Sequence, residues 1–261
     1  MRALQIGATG MQAQQINVEV ISNNIANMTT TGYKRQRSEF QDLMYQNIVR
    51  PGAQSSDIGT IVPSGIQLGS GVRASAVYRV GTQGDLQQTN NKLDLAITGP
   101  GYFQVELPNG DTAYTRAGSF QLNANGQMVT SNGYIVKPGI VLPKATTDVS
   151  INESGQVFAK VDGSAQPAQV GQIELATFAN DAGLEAIGSN LLLETPASGV
   201  PITGSPSALG FGSLTQGSVE NSNVNIVSEI TDLISAQRAY EMNSKVIQTS
   251  DQMLSNINQI H

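Results

Sequence analysis

The chain has 261 residues, a formal net charge of -6 and no cysteine. These values exclude disulfides, thiol chemistry and cysteine-bound zinc, and the absence of a basic block argues against nucleic acid as a partner. Charged residues make up 13% of the chain, about half the usual share of roughly 25%. Low charge density is typical of surfaces buried between partners, and equally of a polar extracellular protein rich in Asn, Gln and Ser.

The first 31 residues are predicted to form a helix with one narrow apolar stripe. They contain no proline and only two charged side chains. Apolar residues recur every seven positions, which is the spacing of a helix that packs on other helices. These seam residues are Leu4, Met11, Val18 and Ile25.

The stretch "SNNIANMTTTGYKR", residues 22–35, is predicted to end this helix. Asn side chains compete for backbone hydrogen bonds and tolerate left-handed geometry, and glycine is common after a helix. Asn and Thr catalyse only with a base or metal nearby, and this segment contains neither. The predicted helix-stop residues are Asn23, Asn24, Asn27 and Gly32.

The middle of the chain is predicted to be β-structure. All 10 prolines and nearly all 27 glycines lie between residues 32 and 217. Residues 50–73 have turn residues every few positions, which predicts an extended arm or a long irregular hairpin. Asn109-Gly110 predicts a tight hairpin, and the similar stretches at 122–129 and 151–158 predict repeated hairpin corners. Residues 195–217 are rich in Gly and Pro and are predicted to form a return linker.

Residues 218–261 contain neither Gly nor Pro and are predicted to form a second helix. Their apolar residues hold a spacing of seven through six positions. A helix of about 40 residues is roughly 60 Å long, too long to lie inside one compact domain of this size. The seam residues are Val219, Ile226, Leu233, Tyr240, Ile247 and Leu254.

No enzymatic constellation is predicted, and no catalytic, cofactor-binding or metal residue is assigned. The single histidine is the last residue, His261, which excludes a triad built on a core histidine. No apolar run reaches the roughly 20 residues of a membrane span, and no cleavable signal is evident. Because each helix buries only one edge, we expect the helices to become ordered on association. A coiled-coil dimer and a helical hairpin within one chain remain open.

Four stretches resemble the bacterial flagellar rod and hook family. They are "NNIANMTTTGYKR" (23–35), "LDLAITGPGYFQV" (93–105), "AYTRAGSFQLNANGQMVTSNGY" (113–134) and "AQRAYEMNSKVIQTSDQML" (236–254). The length and the segment 45–72 most resemble the distal-rod members of the family. Tyr33 and Met28 stand where the family commonly has phenylalanine and valine, and both remain apolar.

The resemblance implies an α+β fold, with long N- and C-terminal helices pairing as a coiled-coil-like domain, an extended β arm and a central all-β domain. It implies a structural subunit without cofactors that polymerises into a helical tube. Implied partners are other copies of itself, proximal rod proteins, the hook protein, the P-ring and L-ring proteins and the type III export apparatus. The implied location is the basal body, from the periplasm to the outer-membrane level, after export without a cleaved signal and without membrane insertion.

The expected division of the chain follows from the same resemblance: residues 1–32 and 218–261 as inner-tube helices, 33–75 as the arm, 76–194 as the outer β-domain and 195–217 as the return linker. The arm is expected to make the tube rigid. Its assigned residues are Tyr45, Pro51, Gly52, Gln54, Ser55, Ser56, Pro63 and Gly65. The alternatives are a proximal-rod or hook-type paralogue, and a secreted β-rich hydrolase or adhesin with a coiled-coil stalk.

Overall fold

A computed structural model describes residues 2–52, 64–143, 145–162 and 166–259 of the chain, without the side chains of 257–259. Four of the predicted arm residues, Gln54, Ser55, Ser56 and Pro63, lie outside the described residues, as does His261. The described part confirms the α+β class, with a helix near each end and a β-rich region between them.

The two helices are α1, Arg2–Ala26, and α2, Ile226–Gln259. A short 3-10 helix spans Asp181–Gly183. The strands are β1 Gln36–Asp42, β2 Tyr45–Val49, β3 Ile66–Gly69, β4 Val72–Arg79, β5 Leu86–Gln88, β6 Leu95–Thr98, β7 Tyr102–Glu106, β8 Thr112–Thr115, β9 Phe120–Leu122, β10 Met128–Thr130, β11 Ile135–Val136, β12 Thr146–Ile151, β13 Gln156–Val161, β14 Ala168–Gln172, β15 Leu175–Thr177, β16 Glu185–Gly188, β17 Leu191–Leu193, β18 Ile202–Gly204, β19 Ser213–Gln216 and β20 Ser218–Glu220.

The chain divides into two compact units. The first comprises Met1–Ile25, Gln36–Tyr78 and Ile226–His261. It contains most of α1, all of α2 and two pairs of strands, β1 with β4 and the antiparallel pair β2 with β3. Both ends of the sequence therefore contribute to the same unit.

The second unit comprises Ala26–Arg35 and Arg79–Asn225 and contains the main β-structure. Its largest sheet has the order β16-β17-β8-β7-β11-β10-β9, and β15 joins both β7 and β18. The sheet β12-β13-β14 and the pairs β19-β6 and β20-β5 complete the unit. The largest side chains in its core include Phe103, Phe120 and Met128, each no more than 1% exposed.

In strand β7 and its hairpin, the predicted hairpin forms but the predicted alternation of buried and exposed residues does not. β7 pairs with β8 across Asn109-Gly110, which confirms the predicted hairpin. The turn is wider than a two-residue turn, because the Leu107 N–H donates to the Asp111 carbonyl at 2.9 Å, and of the two central residues only Gly110 has a positive φ, +88. Along β7 the apolar residues Phe103 and Val105 alternate with polar Gln104, which predicts an exposed Gln104, yet this side chain is only 8% exposed. The reason is that β7 is central: Phe103 belongs to one core cluster and Tyr102 to a second.

The predicted start of the C-terminal helix is wrong. The helix begins at Ile226, and Val219 lies in β20, paired with Gln87 of β5. Val219 and its neighbour Glu220 are buried in the second unit, so tertiary pairing overrides a spacing of seven at this end. The segment predicted as a return linker, 195–217, also contributes strands, because β18 pairs with β15 and β19 with β6.

The repeated stretches "LNANGQMV" and "INESGQVF" form two similar hairpin corners, as predicted. In the first, the Asn123 side chain accepts hydrogen bonds from the N–H groups of residues 125 and 127, and the N–H of Gly126 donates to the Asn123 carbonyl at 2.9 Å. The carbonyl of Gly126 then accepts from Leu142 N–H at 2.7 Å. This glycine has φ +78, and a Cβ there would lie 2.4 Å from the Leu142 carbonyl oxygen.

Replacing Gly126 by Ala should therefore destabilise the fold more than left-handed strain alone explains. A matched control is Gly133→Ala, because Gly133 has φ +83 and nothing within 4 Å of an added Cβ. We expect the control to cost about 1 kcal/mol of unfolding free energy and Gly126→Ala roughly 2 to 4 kcal/mol. Urea unfolding followed by tyrosine fluorescence measures both. Equal losses in the two variants would contradict the steric explanation.

Candidate functional site

Two glycines let α1 and α2 approach closely within the first unit. A Cβ on Gly7 would lie 2.9 Å from Cγ1 of Ile247, and one on Gly10 would lie 2.8 Å from Nδ2 of Asn243. A larger residue at either position would fit only if the Ile247 or Asn243 side chain moved. Both glycines interrupt a stretch of sequence that is otherwise typical of a helix, and this is the signal that indicates close packing.

The predicted seam residues lie mostly along this helix pair. Seven are half-buried: Leu4, Met11, Val18, Ile25, Leu233, Ile247 and Leu254. Tyr240 and Ile226 are 44% and 40% exposed, and Val219 belongs to the other unit. The structure places Ile247 against α1 of the same chain at Gly7. The helical-hairpin alternative thus accounts for that contact, and the part the seam plays in assembly stays a prediction.

The predicted helix-stop residues differ from one another in their contacts. Asn23 and Asn24 lie in the last turn of α1, which ends at Ala26, and Asn27 follows it. Gly32 has φ +70, and its N–H donates to the Glu220 carbonyl at 2.7 Å. That these residues end the helix stays a prediction.

Asn24 also connects the two helices, which its sequence context did not predict. Its amide nitrogen donates to Oε2 of Glu229 at 3.0 Å and to the carbonyl of Gln36 at 2.8 Å. Its Oδ1 accepts the N–H of Gln36 at 2.8 Å. Asn24 and Glu229 are each 1% exposed. Glu229 lies in the first turn of α2, where the helix dipole favours a negative charge.

Within the arm, β2 and β3 form a two-stranded hairpin with uncovered apolar side chains. Tyr45 and Ile48 of β2 are each 57% exposed, and Ile66 and Leu68 of β3 are 52% and 44% exposed. The Asp42 carboxylate accepts a hydrogen bond from the Tyr45 hydroxyl, and this raises the pKa of the phenol. A lone hairpin is marginally stable in water, so these side chains are available for contacts with a partner.

The other described arm residues shape the hairpin end. Pro51 and Gly52 follow β2 as a turn, and Gly52 has φ +80. Gly65 precedes β3, and a Cβ there would lie 2.2 Å from the Val49 carbonyl oxygen. Glycine is therefore the residue that fits at position 65.

A buried carboxylate forms the polar centre of the second unit. Glu220 is 0% exposed, and its Oε1 accepts from Lys34 Nζ at 2.6 Å and from Gly84 N–H at 2.9 Å. Its Oε2 accepts from Arg116 Nε at 2.6 Å. The remaining Arg116 donors are used by the carbonyls of Ile97, Gly99 and Gly101. Sequence reasoning missed this centre because its members are far apart in the chain.

The electrostatics of the centre keep Glu220 ionised. Burial by itself raises the pKa of Glu220, but Arg116, Lys34 and the Gly84 N–H outweigh it, so the pKa lies below its ordinary value. Burial lowers the pKa of Lys34, against the raising effect of Glu220. A charged group this deeply buried is stable only while its partners are present.

Asn223 ties together three segments of the second unit that are far apart in sequence. Its Oδ1 accepts the N–H of Arg35 at 2.6 Å, and its Nδ2 donates to the carbonyls of Val80 and Thr82, each at 3.0 Å. Each of these segments lies within a few residues of a point where the chain passes to the first unit.

The described residues give no support to catalysis, metal binding or a membrane span. Across 2–52, 64–143, 145–162 and 166–259, no group of three His, Cys, Asp or Glu side chains is placed to hold a metal ion. In the same ranges no helix combines the length and the apolar character needed to cross a membrane. The residues that stand out instead belong to packing surfaces.

Glu220→Gln should destabilise the second unit by about 3 to 5 kcal/mol at neutral pH, because it leaves Lys34 and Arg116 buried without a carboxylate. The pKa of Glu220 is lowered by folding, so its contribution is fully present above the ordinary glutamate value of about 4.3. The contribution is lost as the pH falls through the lower folded-state pKa. Urea unfolding from pH 7 to pH 3 measures the free energy of unfolding of both proteins. The difference in this free energy between wild type and variant should become smaller below about pH 4.

The matched control for this experiment is Asp148→Asn. It breaks an exposed ion pair with Lys92 at 2.6 Å, whose side chains are 61% and 52% exposed. Exposed pairs contribute little to stability, so we expect a much smaller loss than in Glu220→Gln. If the difference in unfolding free energy between wild type and Glu220→Gln stayed constant across the pH range, Glu220 would not be the ionised group that stabilises the centre.

Three family models match separate parts of the chain. They are "Flagella basal body rod protein" over residues 4–34, "Flagellar hook protein FlgE/F/G D1 domain" over 96–159 and "Flagellar basal body rod FlgEFG protein C-terminal" over 215–260. The first match contains most of α1, the last contains α2, and the second lies in the β-rich unit.

Curated relatives match the chain along its whole length. It is 60% identical to the "Flagellar basal-body rod protein FlgG" of Caulobacter vibrioides over 260 residues, covering 100% of this chain and 99% of the relative. It is 53% identical to the FlgG of Agrobacterium fabrum, covering 98% and 97%, and 39% identical to that of Bacillus subtilis, covering 97% of each. The chain belongs to the flagellar rod and hook family, as a structural basal-body rod protein and not an enzyme.

Proposed function

We propose that this chain builds the distal part of the flagellar rod, as a rigid helical tube that transmits motor torque to the hook and serves as an export channel. The observation that carries the proposal is the similarity to relatives named FlgG over 100% of the chain, arm included. A proximal-rod or hook-type paralogue is the alternative. This alternative has weaker support, from the 32% identity with the "Flagellar hook-basal body complex protein FlhP" of Bacillus subtilis.

Paired helices from the two chain ends form the inner wall of the proposed tube. Close packing at Gly7 supports a coiled-coil-like pair. Several large apolar side chains of α2 remain uncovered in the single chain, among them Val227 at 75% and Met242 at 61% exposure. Apolar faces of this kind are typical of surfaces that are buried on association. Residues 1–32 and the helix α2, Ile226–Gln259, are the proposed inner-tube segments, because residues 218–225 belong to the β-rich unit.

The β-rich region is proposed to face outward. In this proposal residues 76–194 are the outer domain, which contacts the P-ring and L-ring proteins, and 195–217 return the chain to the tube. The ends of the rod meet proximal rod proteins and the hook protein. Export through the flagellar type III apparatus without a cleaved signal would deliver the subunit to the level of the periplasm and outer membrane. The absence of cysteine suits a chain that travels unfolded.

The arm, residues 33–75, is proposed to brace neighbouring copies and make the tube rigid. Its described hairpin supports this, because β2 and β3 present apolar side chains to solvent on a two-stranded element that has little stability of its own. Burying these side chains against a neighbour would stabilise both partners at about 25 cal/mol for each Å² of apolar surface.

Asp at seam positions should prevent tube formation. Leu233→Asp with Ile247→Asp places carboxylates on half-buried positions of the helix pair, where an unpaired charge is strongly unfavourable. We expect sedimentation to show no large assemblies, while hydrogen exchange still shows a protected β-rich unit. The control is Val200→Asp with Leu209→Asp, at sites 84% and 103% exposed. Tubes formed by the seam variant would contradict the seam assignment.

Polar residues in the arm should make the tube more flexible without preventing assembly. We expect Ile48→Ser with Leu68→Ser to lower the persistence length of purified tubes measured by electron microscopy, because two bracing apolar contacts are removed. The control is Val200→Ser with Leu209→Ser, which removes exposed apolar side chains outside the arm. Unchanged bending stiffness in the arm variant would argue against bracing.

A further inference from the structure

One side of α2 presents apolar and basic side chains to solvent. Successive residues of a helix are about 100° apart, so these positions fall in one sector, away from the buried residues Glu229 and Ala236. Val227, Met242 and Met253 are 75%, 61% and 59% exposed. We call this sector the outer face of α2; its residues are Val227, Ile234, Arg238, Met242, Lys245, Val246 and Met253.

The charges of the outer face are all of one sign. Arg238 and Lys245 are seven residues apart, which places them on the same side of the helix, with Met242 between them. Both are exposed, and within the described part of the chain neither forms a salt bridge. A partner for this face should therefore be acidic and partly apolar.

A groove with the complementary character lies between α1 and α2 of the same unit. It has a volume of about 350 Å³ and is lined by Gln15, Val18, Glu19, Gln237, Tyr240 and Glu241. Its charged side chains are both carboxylates, and in the described ranges neither is paired with a cation. Gln15 donates a hydrogen bond to Oε1 of Glu19 at 3.1 Å. Val18 and Tyr240 supply apolar surface.

We infer that the outer face of α2 in one copy docks into the groove between α1 and α2 of a second copy. Arg238 and Lys245 then lie near Glu19 and Glu241, while Met242 covers the apolar part of the groove. The commitment to a second copy rests on this charge complementarity between two surfaces of one chain. This interface rests on the proposed function, because it requires that copies of the chain assemble with one another.

The position of the two surfaces determines what kind of assembly follows. Glu241 lines the groove and Met242 lies on the outer face, and these consecutive residues point about 100° apart around α2. In this proposal one copy uses its outer face and its groove at the same time, with two different neighbours. Such head-to-tail contacts between unlike surfaces build an open helical assembly when the rotation does not close into a ring.

Reversing the charges tests the interface. Arg238→Glu with Lys245→Glu makes the outer face acidic, and Glu19→Lys with Glu241→Lys makes the groove basic. Each double variant alone should need a concentration roughly tenfold or more above that of the unmodified chain to assemble. An equimolar mixture of the two should restore assembly, because each surface then meets its opposite charge on the other chain. Sedimentation velocity over a range of concentrations measures this.

A matched control makes the same change in net charge at two residues outside the helices. Lys92→Glu with Lys160→Glu reverses two exposed cations of the β-rich unit and should assemble like the unmodified chain. Unaltered assembly of the Arg238 and Lys245 variant would overturn the interface while leaving the proposed function standing. The interface would also be overturned if the mixture of the two double variants assembled no better than either variant alone. Failure of the unmodified chain to assemble at any concentration would count against the proposed function itself, and with it the interface.

A second measurement tests the contact without charge changes. The chain has no cysteine, so single cysteines introduced by substitution report on contacts without background. Met242→Cys mixed with Gln237→Cys should give a disulfide-linked pair of the two different chains under mild oxidation. Met242→Cys mixed with Leu209→Cys is the control. Equal yields in the two mixtures would overturn the docking geometry.

Discussion

The close packing of α1 on α2 at Gly7 is the contact on which the first unit depends. Without a Cβ at this position, Ile247 packs directly against the α1 backbone, so the two chain ends lie side by side. A helix pair is too thin to cover all the apolar side chains of both helices. Several of those on α2 remain exposed, and exposed apolar side chains of this kind are typical of surfaces that are buried on association.

Polar contacts determine how the helix pair is aligned. Asn24 and Glu229 are almost fully buried and hydrogen-bonded to each other, while Asn24 also holds the backbone of Gln36. Apolar side chains with a spacing of seven can still pack if one helix shifts by seven residues along the other. The buried amide of Asn24 and the buried carboxylate of Glu229 would then each be without the other as a hydrogen-bond partner. The Asn24–Glu229 pair therefore favours one register of α1 on α2, and the part that the seam residues play in assembly stays a prediction.

The second unit depends in the same way on one buried carboxylate. Glu220 is bound by two cations and a backbone N–H from three parts of the chain. This arrangement explains why the segment around Val219 is a strand and not the first turn of α2. As members of the flagellar rod and hook family, such chains function by associating with one another and with other rod and hook components. The exposed apolar side chains of the first unit agree with that function.

The sequence by itself determined the features that depend on neighbouring residues. Spacings of seven identified both helices, Asn109-Gly110 identified the β7-β8 hairpin, and the shared pattern at Asn123 and Asn152 identified two similar corners. Turn geometry and helix periodicity are local properties, so they can be recognised within a few residues. The family resemblance was likewise carried by short local motifs.

Only the tertiary structure decided which segments meet. It placed Val219 in a strand, brought Lys34 and Arg116 to Glu220, and assigned Gly7 to a close helix contact. It also showed that Gln104 is buried, because a central strand has core on both faces. These outcomes depend on partners tens to hundreds of residues away. Pairing and burial energies between distant segments override the local pattern, and no single stretch of sequence contains them.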